Sequence, residues 1–140
     1  WPGETGRAER VRAALHIAAS DPALMTAGDG AALILTPIVI AMLRAVNVPA
    51  RLVSVYAPGL EPMDFHAVAE ALIDGKWQVV DATGLAPRTA MVRIATGRDA
   101  ADTAFLDNHG GSIIMTNMVV SATTNQDLPF DPLDELVSIT

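Results

Sequence analysis

Two strand-like runs, Phe65 to Ile73 and Trp77 to Ala82, meet at Asp74-Gly75, a dipeptide suited to the left-handed backbone of a tight hairpin turn. No other junction constrains the fold as strongly, because a two-residue turn sets the register of both strands. It pairs Ile73 with Lys76, Val68 with Asp81 and His66 with Thr83. His66 and Asp81 then become diagonal neighbours on one face, with backbones roughly 7 to 8 Å apart, a gap that an imidazole and a carboxylate can bridge. A three-residue turn would send the two side chains to opposite faces.

The segments around the hairpin predict helices on one side and strands on the other. Glu9 to Ser20 places Val11, Ala14, Leu15 and Ala18 at helical spacing with Arg10 and Arg12 turned away, and Asp21-Pro22 closes it. Ala27-Gly28-Asp29-Gly30 is turn chemistry. An apolar run from Ala31 to Val46 then reads as the core helix, ended by Asn47 and Pro49. Pro37 falls inside it, where it removes a backbone donor and presses on the carbonyl of Leu33 at about 3 kcal/mol. The helix is expected either to kink there or to start its regular part near Thr36. Arg51 to Ala57 and Met91 to Ala95 read as strands, Asp99 to Leu106 as a short helix, and Ile113 to Ala122 as strand-forming throughout. The tail with Pro129, Pro132 and its acids from Asp131 to Glu135 reads as a solvated edge or loop. The expected class is α+β, with N-terminal helices packed on an antiparallel sheet in one domain over residues 1–140.

Composition removes several classes of function. Sixteen acidic against 9 basic residues give a net charge of -7, so the positive footprint needed for nucleic acid or an anionic membrane surface is missing. The apolar run from Ala31 falls short of the roughly 20 residues of a bilayer span. Residues Trp1 to Gly6 lack a basic stretch followed by an apolar one, which makes a cytoplasmic location the expectation. There is no cysteine, hence no disulfide, thiolate metal site or thiol nucleophile. No His-x-His or His-x-x-x-His spacing supports a metal, and no cofactor motif is present. His16 and His109 belong to no motif and read as surface or packing residues.

Five stretches carry a family resemblance: Leu43 to Arg51, Asp64-Phe65-His66-Ala67, Trp77 to Thr83, Leu85-Ala86-Pro87-Arg88 and Thr96 to Asp102. In order and spacing they resemble the bacterial branch of the transglutaminase-like superfamily, whose papain-like fold hosts transglutaminases, cysteine peptidases and peptide N-glycanases. The resemblance implies that His66 and Asp81 are the second and third members of a Cys-His-Asp triad. The family nucleophile sits in a pattern of the form Gly-x-Cys-Arg-Asp-aromatic-Ala-His. Counted back from Arg44 without gaps, that pattern falls on Gly30-Ala31-Ala32-Leu33-Ile34-Leu35-Thr36-Pro37, of which only the glycine matches. Ala32 stands where the thiol belongs, and a methyl group cannot form an acyl-enzyme.

Drift after loss of function would erode this stretch first. A single inactivating Cys-to-Ala change would explain position 32 but not Leu33 to Pro37. A deliberate rebuilding of the pocket would explain an apolar lining around a retained base. Three functions are compatible with the pattern. In the first, the domain is silenced and its cleft, bordered by Ala32, Leu33, Leu35 and Thr36, binds a peptide or small apolar ligand. In the second, His66 oriented by Asp81 acts as a general base or nucleophile on a small activated substrate. In the third, a continuous apolar surface from Leu33 to Leu35 mediates dimerisation.

Overall fold

The computed structural model describes residues 5–20, 31–131 and 135–139. Helices α1 (Thr5–Ala19) and α2 (Ala31–Ala45) precede strands β1 (Ala50–Tyr56), β2 (Phe65–Ile73) and β3 (Lys76–Val80), a 3-10 turn at Arg88–Ala90, and β4 (Val92–Gly97). The strands form one antiparallel sheet in the order β3-β2-β1-β4, with the helices against one face. The class is α+β, as the sequence pattern predicts.

Helix α2 is the packing centre of that layer. Leu35, Val39 and Leu43, each four residues apart, are fully buried with Ile40 beside them, against Ala50, Leu52, Ala69, Ala71 and Ile73 of the sheet. Helix α1 adds Val11 and Ala14 to the same core and starts earlier than expected, since Ala8, one turn before Val11, also packs there. At the end of α2, Asn47 takes the left-handed backbone, φ 60. Its N–H donates to the Arg44 carbonyl at 3.0 Å and the Val48 N–H to the Leu43 carbonyl at 2.9 Å, a Schellman closure with asparagine in the usual glycine position. Helix α2 does not begin near Thr36; it is helical from Ala31 to Ala45, with Pro37 inside it. Thr36 is buried, and its Oγ1 donates to the Ala67 carbonyl at 2.9 Å, which ties this part of the helix to β2. The turns predicted at Asp21-Pro22 and at Ala27 to Gly30 lie outside the described residues.

The hairpin forms as predicted. Asp74 and Gly75 have φ values of 51 and 75, the backbone of a type I′ turn, and Ile73 pairs with Lys76. The ladder ends at Ala69 with Val80, so the expected pairs Val68 with Asp81 and His66 with Thr83 are not formed as ladder pairs, although the register up to that point is the predicted one.

The second face of the sheet is as closed as the first. Val53, Val55, Val68 and Val79 pack there with Ala57, Leu60, Ala86, Met91 and Ile139. Glu70 lies fully buried among them and is held from both sides, by Arg51 at 2.7 Å and by Arg93 at 2.5 Å. The Arg51 guanidinium also sits 4.0 Å from the centre of the Trp77 ring.

Two expectations after β3 are corrected and a third holds in part. Asp99 to Leu106 is not a helix: Asp99 Oδ1 accepts the Ala101 and Asp102 amides as a cap would, but a single turn follows, and Phe105 and Leu106 join neither core cluster and stay largely exposed. Ile113 to Ala122 is not a strand; it has strand propensity, but no sheet edge pairs with it, and Ile114 and Val119 are exposed. The tail is a loop with Pro129, Phe130 and Glu135 exposed, as expected, but it is tied to the sheet at points the pattern does not predict. Asp131 forms a two-pronged ion pair with buried Arg88, Val137 accepts the Val79 amide, Ser138 Oγ donates to the Trp77 carbonyl, and Ile139 joins the core.

Two measurements check these interactions. Glu70→Ala leaves two arginines facing an apolar layer and is expected to cost about 3 kcal/mol in urea unfolding; a loss below about 1 kcal/mol would show that the arginines are solvated without it. The Arg88 hydrogen bonds hold the Asp131 carboxyl below its usual range. Its stabilisation is therefore complete above the unfolded value of about 3.9 and is lost as pH falls through the lower folded value. Protection of the Val79 amide from exchange should fall in that acid range before protection of the β2 amides, and Asp131→Asn should lower it at neutral pH.

Candidate active site

His66 is the second residue of β2, and Asp81 follows the last residue of β3. The type I′ turn brings them together: His66 Nε2 lies 3.6 Å from Asp81 Oδ2, and the side chains are 2% and 0% exposed. The other carboxylate oxygen is occupied differently. Asp81 Oδ1 accepts the Thr83 N–H at 2.8 Å and the Thr83 hydroxyl at 2.7 Å, an Asx-type turn that draws the chain out of the ladder after Val80. Thr83 Oγ1 is also 3.5 Å from His66 Nε2.

Asp81 Oδ2 is closed off from solvent and has no hydrogen bond within standard distance among the described residues. An unpaired buried carboxylate oxygen is costly, and the donor that faces it is the Nε2 nitrogen of His66. The favoured tautomer therefore carries its proton on Nε2, pointing at Asp81 and Thr83. That leaves the Nδ1 lone pair as the basic position of the ring, and Nδ1 makes no hydrogen bond among the described residues.

His66 borders a cavity of about 520 Å³. Ala32, Leu35 and Pro37 of α2 form one side, Leu52 and Ser54 of β1 another, and Thr83 and Leu85 a third. The rim is aromatic and aliphatic. Phe65 stacks on Phe105 at 5.2 Å, with Leu60, Leu106 and Met118 nearby. Two carboxylates, Glu61 and Asp64, also line it, with no lysine or arginine.

Of the residues singled out by sequence, Ala32, Leu35 and His66 line this cavity, and Asp81 lies behind the His66 ring without lining it. Thr36 does not line it, since its hydroxyl is turned to the Ala67 carbonyl. The Leu33 side chain lies outside the described residues. The stripe from Leu33 to Leu35 is not one exposed surface: Leu35 is fully buried while Ile34 is 47% exposed, as the 100° step between helical neighbours requires. Phe105, Leu106 and Met118 come from irregular segments whose path no periodicity reveals. Thr83 was within reach of the sequence, as the hairpin partner of His66. His109 is exposed and 3.1 Å from Asp107. Among the described residues, no group of three or more His, Cys, Asp or Glu could hold a metal ion.

The family model of the transglutaminase-like superfamily matches residues 18–82, a stretch that contains α2, the first three strands, His66 and Asp81. The core is transglutaminase-like. A crystal structure of a candidate cysteine protease from Cytophaga hutchinsonii superposes on it with a TM-score of 0.57 and 38% sequence identity, over 67% of this chain. The chain spans 37% of that protein. No curated protein matches the sequence. This is thus a transglutaminase-like, papain-related fold without a cysteine anywhere in the chain. None of its described helices is long and apolar enough to cross a membrane.

The protonation of His66 is directly observable. Nitrogen chemical shifts and long-range couplings of the His66 ring should report Nε2–H with a bare Nδ1 when the ring is neutral. A predominant Nδ1–H form would mean that Asp81 does not orient the ring.

Proposed function

We propose that this is a silenced transglutaminase-like domain, whose cavity binds a peptide or a small apolar ligand while the acyl transfer of active relatives cannot proceed. The observation that carries this reading is the shared cavity of Ala32 and His66. In a thiol enzyme the imidazole takes the sulfur proton, the thiolate attacks a carbonyl, and the acyl group passes to sulfur. Here His66 and Asp81 supply the base and its orienting carboxylate, but position 32 offers only a methyl group. The apolar walls favour ligands that bring hydrophobic surface, and the absence of lysine and arginine from the lining disfavours anionic ones.

Ala32→Cys tests this reading by restoring the missing atom. An ordinary thiol, with a pKa near 8.5, is almost entirely protonated at pH 6, whereas one paired with an imidazole is largely thiolate. Alkylation of the variant by iodoacetamide at pH 6 should run about tenfold or more faster than that of a free cysteine, and adding His66→Ala should remove the advantage. A rate equal to that of free cysteine would show that position 32 is not the nucleophile site.

A second reading rests on the buried imidazole itself, which presents an unoccupied Nδ1 beside an apolar cavity. There His66, oriented by Asp81, would act as base or nucleophile on a small apolar activated substrate. The unmodified chain and His66→Ala, compared on p-nitrophenyl acetate, separate the two readings. The silenced domain should give equal background rates; turnover that disappears with His66→Ala would establish the second reading.

A further inference from the structure

The two oxygens of Asp81 are treated differently, and Thr83 makes the difference. Both the N–H and the hydroxyl of Thr83 donate to Oδ1, at 2.8 and 2.7 Å, so the carboxylate is pinned by one oxygen while Oδ2 is left facing His66 Nε2 at 3.6 Å. The backbone N–H alone would leave the carboxylate free to pivot about that bond, and the hydroxyl removes this freedom. The hydroxyl oxygen, 3.5 Å from Nε2, also offers the ring proton a second acceptor. Both contacts favour the same tautomer, with Nε2 protonated and Nδ1 available.

We infer that Thr83 is the positioning residue of the site: it orients Asp81 so that Asp81 can orient His66. This deepens the proposed function and rests on it. Thr83 is not a relocated nucleophile, because its hydroxyl proton is committed to Asp81 Oδ1, and the nitrogen it approaches is the one that must keep its proton to satisfy Oδ2. The charged groups that share the surroundings of the ring are Asp81 itself and the cavity carboxylates Glu61 and Asp64.

The test is carried out in the Ala32→Cys background with iodoacetamide across pH 5 to 9. Thr83→Val keeps the shape and the backbone N–H but deletes the hydroxyl. It is expected to move the midpoint of the alkylation profile up by about one unit and to slow the reaction at pH 6 about tenfold. Thr83→Ser should restore the parent profile. If Ala32→Cys alone reacts fast and Thr83→Val leaves its profile unchanged, the role of Thr83 is overturned while the silenced-triad reading stands. If Ala32→Cys alone reacts like free cysteine, that reading has failed, and Thr83 is then judged on the unmodified chain by the His66 ring nitrogens. There Thr83→Val should raise the Nδ1–H population and Thr83→Ser should not; an unchanged tautomer ratio overturns the inference. Should Thr83→Val unfold the domain, Thr83→Ala deletes the same hydroxyl without a branched methyl and is read in the same way.

Discussion

The left-handed backbone at Asp74 and Gly75 determines where every side chain of the hairpin goes. With two residues in the turn, Ala69, Ala71 and Ile73 face the helices, while Val68 and Glu70 face the other layer. A slip of one residue would exchange these sets, burying a carboxylate against α2 and exposing the alanines on which that helix rests. The same register brings Asp81 and Thr83 to the level of His66, just beyond the last ladder pair. Core and site are thus products of one turn.

Two buried carboxylates on this sheet show how differently a fold can use a charge. Glu70 is satisfied on both oxygens by arginines, Arg51 of the adjacent strand β1 and Arg93 of β4 one strand further on, and lies in a layer sealed by the C-terminal tail. It is a structural group, with no spare capacity. Asp81 is saturated on Oδ1 and left wanting on Oδ2, and the donor facing that oxygen belongs to a ring that borders a cavity. Incomplete satisfaction of a buried polar group is uncommon in folded proteins and concentrates where a proton has work to do. Together with the Ala32 methyl in the cavity that His66 borders, this asymmetry supports the proposed reading of a site without its nucleophile.

Much of this was readable from the residues. Asp74-Gly75 announced the hairpin register, and with it the meeting of His66 and Asp81; Asn47 and Pro49 marked the end of α2; the absence of cysteine excluded thiol chemistry before any coordinates. What escaped was non-local. Arg88 and Glu70 look like ordinary surface charges in sequence, and their burial depends on Asp131, Arg51 and Arg93, which lie far away along the chain. Ile113 to Ala122 has the composition of a strand, but a strand also needs an edge to pair with, and local propensity says nothing about that. The rim of the cavity fails for the same reason, since Phe105 reaches Phe65 through a segment without periodicity.

The central proposal is geometric: position 32 shares a cavity with the His66 ring, whose Nε2 faces Asp81. The most direct measurement is the pKa of the thiol introduced by Ala32→Cys, read from thiolate absorbance near 240 nm during a pH titration. An intact site predicts a thiolate that forms well below the ordinary value of about 8.5 and returns towards it when Asp81→Ala is added. A thiol that titrates near 8.5 whether or not Asp81 is present would contradict the claim.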